Sequence, residues 1–117
     1  MKRPVAGEVV IVDWRGDRRP DEPGWVRPAI VVEASALFPE AYPKLLVVPL
    51  TRDERLVPPL FAERLEPDAA AGVTEVCWAL AHHVTSVSLT RVKLTGRRVS
   101  DAQLASIRER VAAAVGR

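Results

Sequence analysis

Arg27 stands where a charged stretch runs into an apolar strand, within Glu22-Pro-Gly-Trp-Val-Arg-Pro-Ala-Ile-Val-Val-Glu33. The β-branched run Ala29, Ile30, Val31 and Val32 is typical of a strand buried on both faces, as in a barrel or covered sheet. Pro28 cannot donate to a ladder, so it belongs at a strand start or edge. Arg27 is thereby expected at the mouth of the sheet, with its guanidinium on a rigid backbone and suited to phosphate or planar partners. Five residues upstream, Glu22 lies in the polar segment leading to that mouth. Pattern alone favours an ordinary rim ion pair for these two, since most such residues at strand ends are solvated. Thr51 closes another apolar run just before Arg52-Asp-Glu-Arg55, which should leave its hydroxyl projecting at a sheet end. A threonine there is usually only a turn former. His82 and His83 are adjacent; on a regular strand they face opposite ways, so only one of them can reach a given site. A lone strand histidine is more often a hydrogen-bonded structural residue than a ligand, and without a Cys or His cluster no metal site is expected.

The elements that would position these groups are mostly strands. Gly7-Glu-Val-Val-Ile-Val-Asp-Trp14 gives a first strand with a near-continuous apolar centre. The stretch from Arg15 to Gly24 is dense in charge and turn formers and reads as a surface loop joining two paired strands. Its Arg15, Arg18 and Arg19 can meet phosphates, although a solvated hairpin loop explains them equally well on composition. Ala34 to Pro43 is a connection with one short helical turn, and Lys44-Leu-Leu-Val-Val-Pro-Leu-Thr51 is a third strand. From Leu56 to Gly72 three prolines and no steady period suggest a long excursion with a short strand around Leu60 and Phe61. Excursions of this length in small domains are often functional or lie at interfaces. Val73 to Ser88 reads as a strand that is long or bent near the histidines, and Leu89 to Thr95 as a last short strand closed by Gly96.

The C-terminal segment is a helix. Ser100 with Gln103 three residues on forms a capping box. Leu104, Ile107, Val111 and Val115 then mark one apolar stripe ending at Gly116. Arg108, Arg110 and Arg117 fall toward the end where cations suit the helix dipole.

At 117 residues the chain fits one domain, 1–117, with a single core. One cysteine, Cys77, precludes an internal disulfide and a C-x-x-C motif, which suits a reducing cytoplasm. No apolar run approaches membrane-spanning length, and the first residues lack the apolar centre of a signal peptide. Fourteen of the seventeen basic residues are arginine, while the net charge of +2 is mixed along the chain rather than blocked. There is no internal repeat, phosphate-cradling glycine loop or serine nucleophile motif. Composition and spacing lead to a mainly β domain with a C-terminal helix.

The order of the segments goes further. Gly7-Glu-Val-Val-Ile-Val-Asp-Trp14, Arg27-Pro-Ala-Ile-Val-Val32, Val48-Pro-Leu-Thr51, Val84-Thr-Ser-Val-Ser-Leu-Thr-Arg91 and the capped terminal helix together resemble the MazF/PemK family of toxin endoribonucleases, from Gly7 to Gly116. The resemblance implies a small SH3-like barrel with a helix, of the type shared by CcdB, MazF and PemK. It implies a homodimer that cleaves single-stranded RNA without a metal or other cofactor and is neutralised by a cognate antitoxin protein. Contact with DNA would come only indirectly, through the antitoxin, and no membrane is involved.

Residue by residue, Arg27 matches the family's arginine before Pro-Ala, which acts at the scissile phosphate. Thr51 matches the threonine after the Val-Pro strand, which hydrogen-bonds that phosphate. Glu22 matches the acidic residue that some members use as a base. The chain departs from many relatives in carrying His82-His83 where they have Asp-Gln, whose aspartate is the base in some. His82 can replace it chemically, because a histidine of near-neutral pKa can serve as general base or acid.

Attack of an RNA 2′-hydroxyl on its own phosphate needs a base, a proton donor for the leaving 5′-oxygen, and positive charge on the phosphorane. It leaves 2′,3′-cyclic phosphate and 5′-hydroxyl ends. Glu22 or His82, with Arg27 and Thr51, can fill those roles. Arg15, Arg18, Arg19, Trp25, Arg52 and His83 are the candidates for RNA contact. Trp14 and Trp78 are further stacking surfaces, although core or interface packing explains any of the tryptophans as well. The competing expectations are a non-catalytic barrel toxin of the CcdB type and a degenerate member that binds antitoxin without cleaving.

Overall fold

The computed structural model describes residues 3–14 and 26–117. Seven antiparallel strands form the body: β1 (Glu8–Asp13), β2 (Val26–Val31), β3 (Lys44–Thr51), β4 (Ala62–Leu65), β5 (Cys77–Leu80), β6 (Thr85–Ser88) and β7 (Val92–Arg98). The helix α1 (Asp101–Ala114) follows. The strand order is β4-β5-β3-β2-β1-β7, with β6 also pairing β3. This is the mainly β architecture with a terminal helix expected from the segment pattern.

The β-branched runs of β1, β2 and β3 are continuous because both faces of the sheet are covered. Val9, Ile30, Val48, Leu50, Cys77 and Ala79 lie in one apolar cluster, which α1 caps with Leu104 and Ile107. Val10, Val12, Ala29, Val31, Leu45, Val47 and Val87 fill a second, with Trp14 packed against it. Alternation along each strand thus supplies two cores from one sheet. Among the described residues, the strand pairing does not close into a ring. A loop takes up the closure instead: Asp68 and Val73 form an isolated bridge, and within that turn Ala70 accepts the Arg98 N–H of β7 at 3.2 Å.

Several expectations need adjusting. The strand through the histidines is split into β5 and β6 by a 3-10 turn, Ala81–His83, and both halves pair β3. Thr51 faces Trp78, whereas Val47, four residues earlier, faces Thr85, seven residues later than Trp78; the turn takes up the three residues of difference. His82 and His83 are consequently not on opposite strand faces, and their rings meet edge-on with centroids 4.3 Å apart. The short strand of the long excursion lies at Ala62–Leu65 rather than at Leu60 and Phe61.

The last strand runs through Gly96 instead of stopping at it. Val9 pairs Arg97 while Val10 pairs Leu94, so Thr95 and Gly96 are extra residues in a bulge, and Gly96 takes φ +72°. That left-handed conformation suits glycine and lets the ladder resume on the far side.

The capping box at Ser100 and Gln103 is formed, with both reciprocal bonds present. Leu104 and Ile107 are buried and Val111 packs against the first cluster, but Val115 lies beyond the last helical residue and is exposed. No basic side chain occupies the last turn. Arg108 instead donates to the carbonyls of Val32 (3.0 Å) and Glu33 (2.8 Å). Arg110 pairs with Glu63 of β4 at 2.9 Å. These arginines pin the helix to the strands rather than complementing its dipole.

Beneath this junction lies a buried ion pair that no local pattern announces. Arg3 donates Nε and Nη2 to the two carboxylate oxygens of Glu33 at 3.0 and 2.8 Å. The Arg3 side chain is 5 % exposed and that of Glu33 0 %. The Tyr42 carbonyl accepts from Arg3 Nη1 and the Lys44 carbonyl from Nη2, and Leu46 N–H donates to Glu33. With every buried polar side-chain atom among the described residues partnered, the pair ties the N-terminal residues to β3.

Candidate active site

Sheet register brings Arg27 and Thr51 together. β2 pairs β3 through Ala29 with Pro49; continuing that register by two residues on each strand sets Arg27 opposite Thr51. Opposed residues of an antiparallel pair project to the same face. Pro28, next to Arg27, is the third residue of β2 and stands opposite Ile11 of β1, so it lies inside the strand rather than at the start expected for it. Both residues line one open cleft, whose other walls come from Val9, Leu50 and Cys77 of the sheet and from the turn at 71–75.

The Thr51 side chain is buried at the cleft floor, 2 % exposed. Its hydroxyl oxygen accepts the backbone N–H of Asp53 at 3.0 Å, which orients the group and leaves its own O–H to donate elsewhere. Asp53 also caps the 3-10 turn Glu54–Leu56 and holds Arg55 bidentately, at 3.0 and 2.8 Å. The hydrogen bonds from Arg55, with a smaller contribution from the charge of Arg27, keep its carboxyl below the ordinary value. A carboxylate so stabilised is a poor proton acceptor, so Asp53 serves the site as a structural brace.

Arg52 stands at the cleft rim in an ion pair with Glu75 at 2.5 Å, both side chains more than half exposed. Glu75 was not legible as a site residue: it lies 23 residues from Arg52 and only the fold makes them neighbours. Cys77 forms part of the wall, and burial pushes its thiol up, against a smaller opposing effect of Arg52.

His82 and His83 are placed elsewhere. Neither is among the described residues lining the cleft. Their 3-10 turn packs against α1 and β4, and the His82 ring lies 6.0 Å from that of Phe61. Partial burial, followed by the charge of His83, lowers the His82 pKa, so its imidazole is neutral at pH 7. Trp14 packs on the second apolar cluster, while Trp78 pairs with Thr51 across the β3–β5 ladder. Arg15, Arg18, Arg19, Glu22 and Trp25 lie outside the described residues.

The architecture recurs among solved structures. The MazF of Deinococcus radiodurans is 23 % identical, with a TM-score of 0.76 and 97 % of each chain covered. A mycobacterial endoribonuclease in complex with its cognate antitoxin is 19 % identical, with a TM-score of 0.72 over 99 % of this chain and 96 % of that one. The MazE–MazF complex of Deinococcus radiodurans is 25 % identical, with a TM-score of 0.62 over 97 % of this chain and 95 % of its counterpart. No curated protein matches the sequence. A family model does: that of the PemK-like, MazF-like toxins of type II toxin–antitoxin systems, over residues 6–115. With nearly its whole length matched to that model, the chain belongs to the PemK-like, MazF-like toxin family.

Proposed function

We propose that the protein is a metal-independent endoribonuclease that cuts single-stranded RNA by 2′-hydroxyl attack on the adjacent phosphate, leaving 2′,3′-cyclic phosphate and 5′-hydroxyl ends. The observation that carries this reading is that Arg27 and Thr51 line one open cleft of a MazF-like fold. In it, the Arg27 guanidinium supplies fixed positive charge to the phosphorane, the Thr51 hydroxyl donates to a non-bridging oxygen, and the leaving 5′-oxygen takes its proton from water in the open cleft. Donors held in place before reaction lower the barrier without reorganisation.

The general base in this reading is Glu22, tethered five residues before Arg27. His82 has the neutral imidazole a base requires, but it stands with Phe61 and the helix, away from the residues lining the cleft. Arg52 at the rim, and Arg15, Arg18, Arg19 and Trp25 of the preceding segment, guide the RNA strand. His83 belongs with His82 to an outer contact surface. The protein works as a homodimer in the cytoplasm and is neutralised by a cognate antitoxin; the solved relative bound to its own antitoxin supports that partner.

The test is digestion of a long single-stranded RNA in EDTA by wild type, Arg27→Ala, Glu22→Gln and His82→Gln, with analysis of fragment ends. Cyclic phosphate ends lost in Arg27→Ala and Glu22→Gln, and kept in His82→Gln, are expected. Cleavage abolished by His82→Gln alone would move the base to the histidine.

A further inference from the structure

We infer that Trp78 and Arg64 form a nucleotide subsite beside the Arg27–Thr51 centre, with an unpaired RNA base stacked on the indole and a neighbouring phosphate held by the guanidinium. The inference rests on the ribonuclease reading and adds a binding position to it. Its basis is register. Thr51 pairs Trp78 across β3 and β5, and Trp78 pairs Arg64 across β5 and β4. Thr51, Trp78 and Arg64 therefore stand in line on one face, and Arg27 shares the cleft of Thr51 at the hydroxyl end of that row. Neighbouring strands lie about 4.8 Å apart, so the indole is one strand from the threonine hydroxyl and the Arg64 guanidinium two.

Packing separates Trp78 from an ordinary core tryptophan. Its strand neighbours Cys77 and Ala79 are buried in the first apolar cluster, and Trp14 packs on the second. Trp78 belongs to neither cluster among the described residues and is only half-buried. Arg64 is well exposed, 60 % for its side chain, with Nε on Glu66 at 2.9 Å. A cation, a hydroxyl, an aromatic ring and a second cation in line match the alternation of phosphate and base along a single strand. Every base offers a π-face, so the subsite contributes affinity at this position rather than base choice.

The experiment first maps a cut made by the wild type in a long RNA. A labelled oligonucleotide spanning that cut, with 2′-deoxy sugar at the attacking position, then serves as an uncleavable probe for fluorescence anisotropy. Trp78→Leu, which keeps apolar bulk without a ring, is expected to weaken binding about tenfold, and Trp78→Phe to restore most of it. Arg64→Ala is expected to weaken binding and make the log–log salt dependence shallower by about 0.7. A Trp78→Leu protein that binds as tightly as wild type overturns the subsite and leaves the ribonuclease standing. A wild type that cuts no RNA overturns the ribonuclease and the subsite with it.

Discussion

The Thr51 hydroxyl accepts the backbone N–H of Asp53 at 3.0 Å, so the hydroxyl at the cleft floor is itself held by the turn that leaves the cleft. Thr51→Val removes that acceptor and the donor together. It is expected to cost about 1 kcal/mol of stability, read as a fall of roughly 5 °C in Tm. RNA cleavage is expected to drop more than a hundredfold. Thr51→Ser keeps the oxygen and is expected to retain most of both, which calorimetry and a cleavage assay check side by side.

In the ribonuclease reading, Glu75 competes with RNA for Arg52. Their exposed ion pair contributes at most about 1 kcal/mol to folding, so Glu75→Gln is expected to leave Tm nearly unchanged. It frees a guanidinium at the cleft rim, and RNA affinity at low salt is expected to rise, with a salt dependence steeper by about 0.7. Arg52→Ala should move both quantities the other way. Binding titrations at several salt concentrations decide it.

The pKa of His82 is lowered by partial burial and by His83, so the unfolded chain binds the proton more readily than the folded one. Its contribution to stability is complete above the unfolded value, near 6.5, and is lost as pH falls through the lower folded value. Wild type is therefore expected to lose Tm more steeply below pH 6.5 than His82→Gln. The effect is small because the ring is largely exposed. Thermal melts of both proteins between pH 7.5 and 5 measure the difference in slope.

Breaking the Arg3–Glu33 pair is expected to be the most damaging single change outside the cleft. Glu33→Gln leaves a buried guanidinium without its counter-charge, at a cost of about 3–5 kcal/mol. That is a large share of the total stability of a domain this size. A denaturant titration should show a midpoint shifted far down with an unchanged slope.

What the sequence disclosed follows from how local each interaction is. The capping box needed only Ser100 and Gln103, and the strands β1, β2 and β3 declared themselves through β-branched runs that two cores require. A bend near His82 and His83 was legible, but not the division into two strands that serve both ends of β3. Arg108 and Arg110 looked like dipole partners, but the carbonyls of Val32, Glu33 and Leu60 and the carboxylate of Glu63 are distant in sequence. Arg3 and Glu33 are 30 residues apart and carry no pattern at all. At the site, Arg27, Thr51 and Trp78 were named from the sequence and its family resemblance, whereas Glu75 and Arg64 emerged only from the folded turn and the register.

The central claim is that Arg27 acts on an RNA phosphate, and end-chemistry of RNA fragments tests it most directly. Wild type and Arg27→Ala, both shown to be folded by circular dichroism, are incubated with one long single-stranded RNA in EDTA. Discrete cuts by the wild type bearing 2′,3′-cyclic phosphate and 5′-hydroxyl ends, reduced at least a hundredfold in Arg27→Ala, are the predicted result. Equal cleavage by the two proteins, or no cleavage by the wild type, would contradict it.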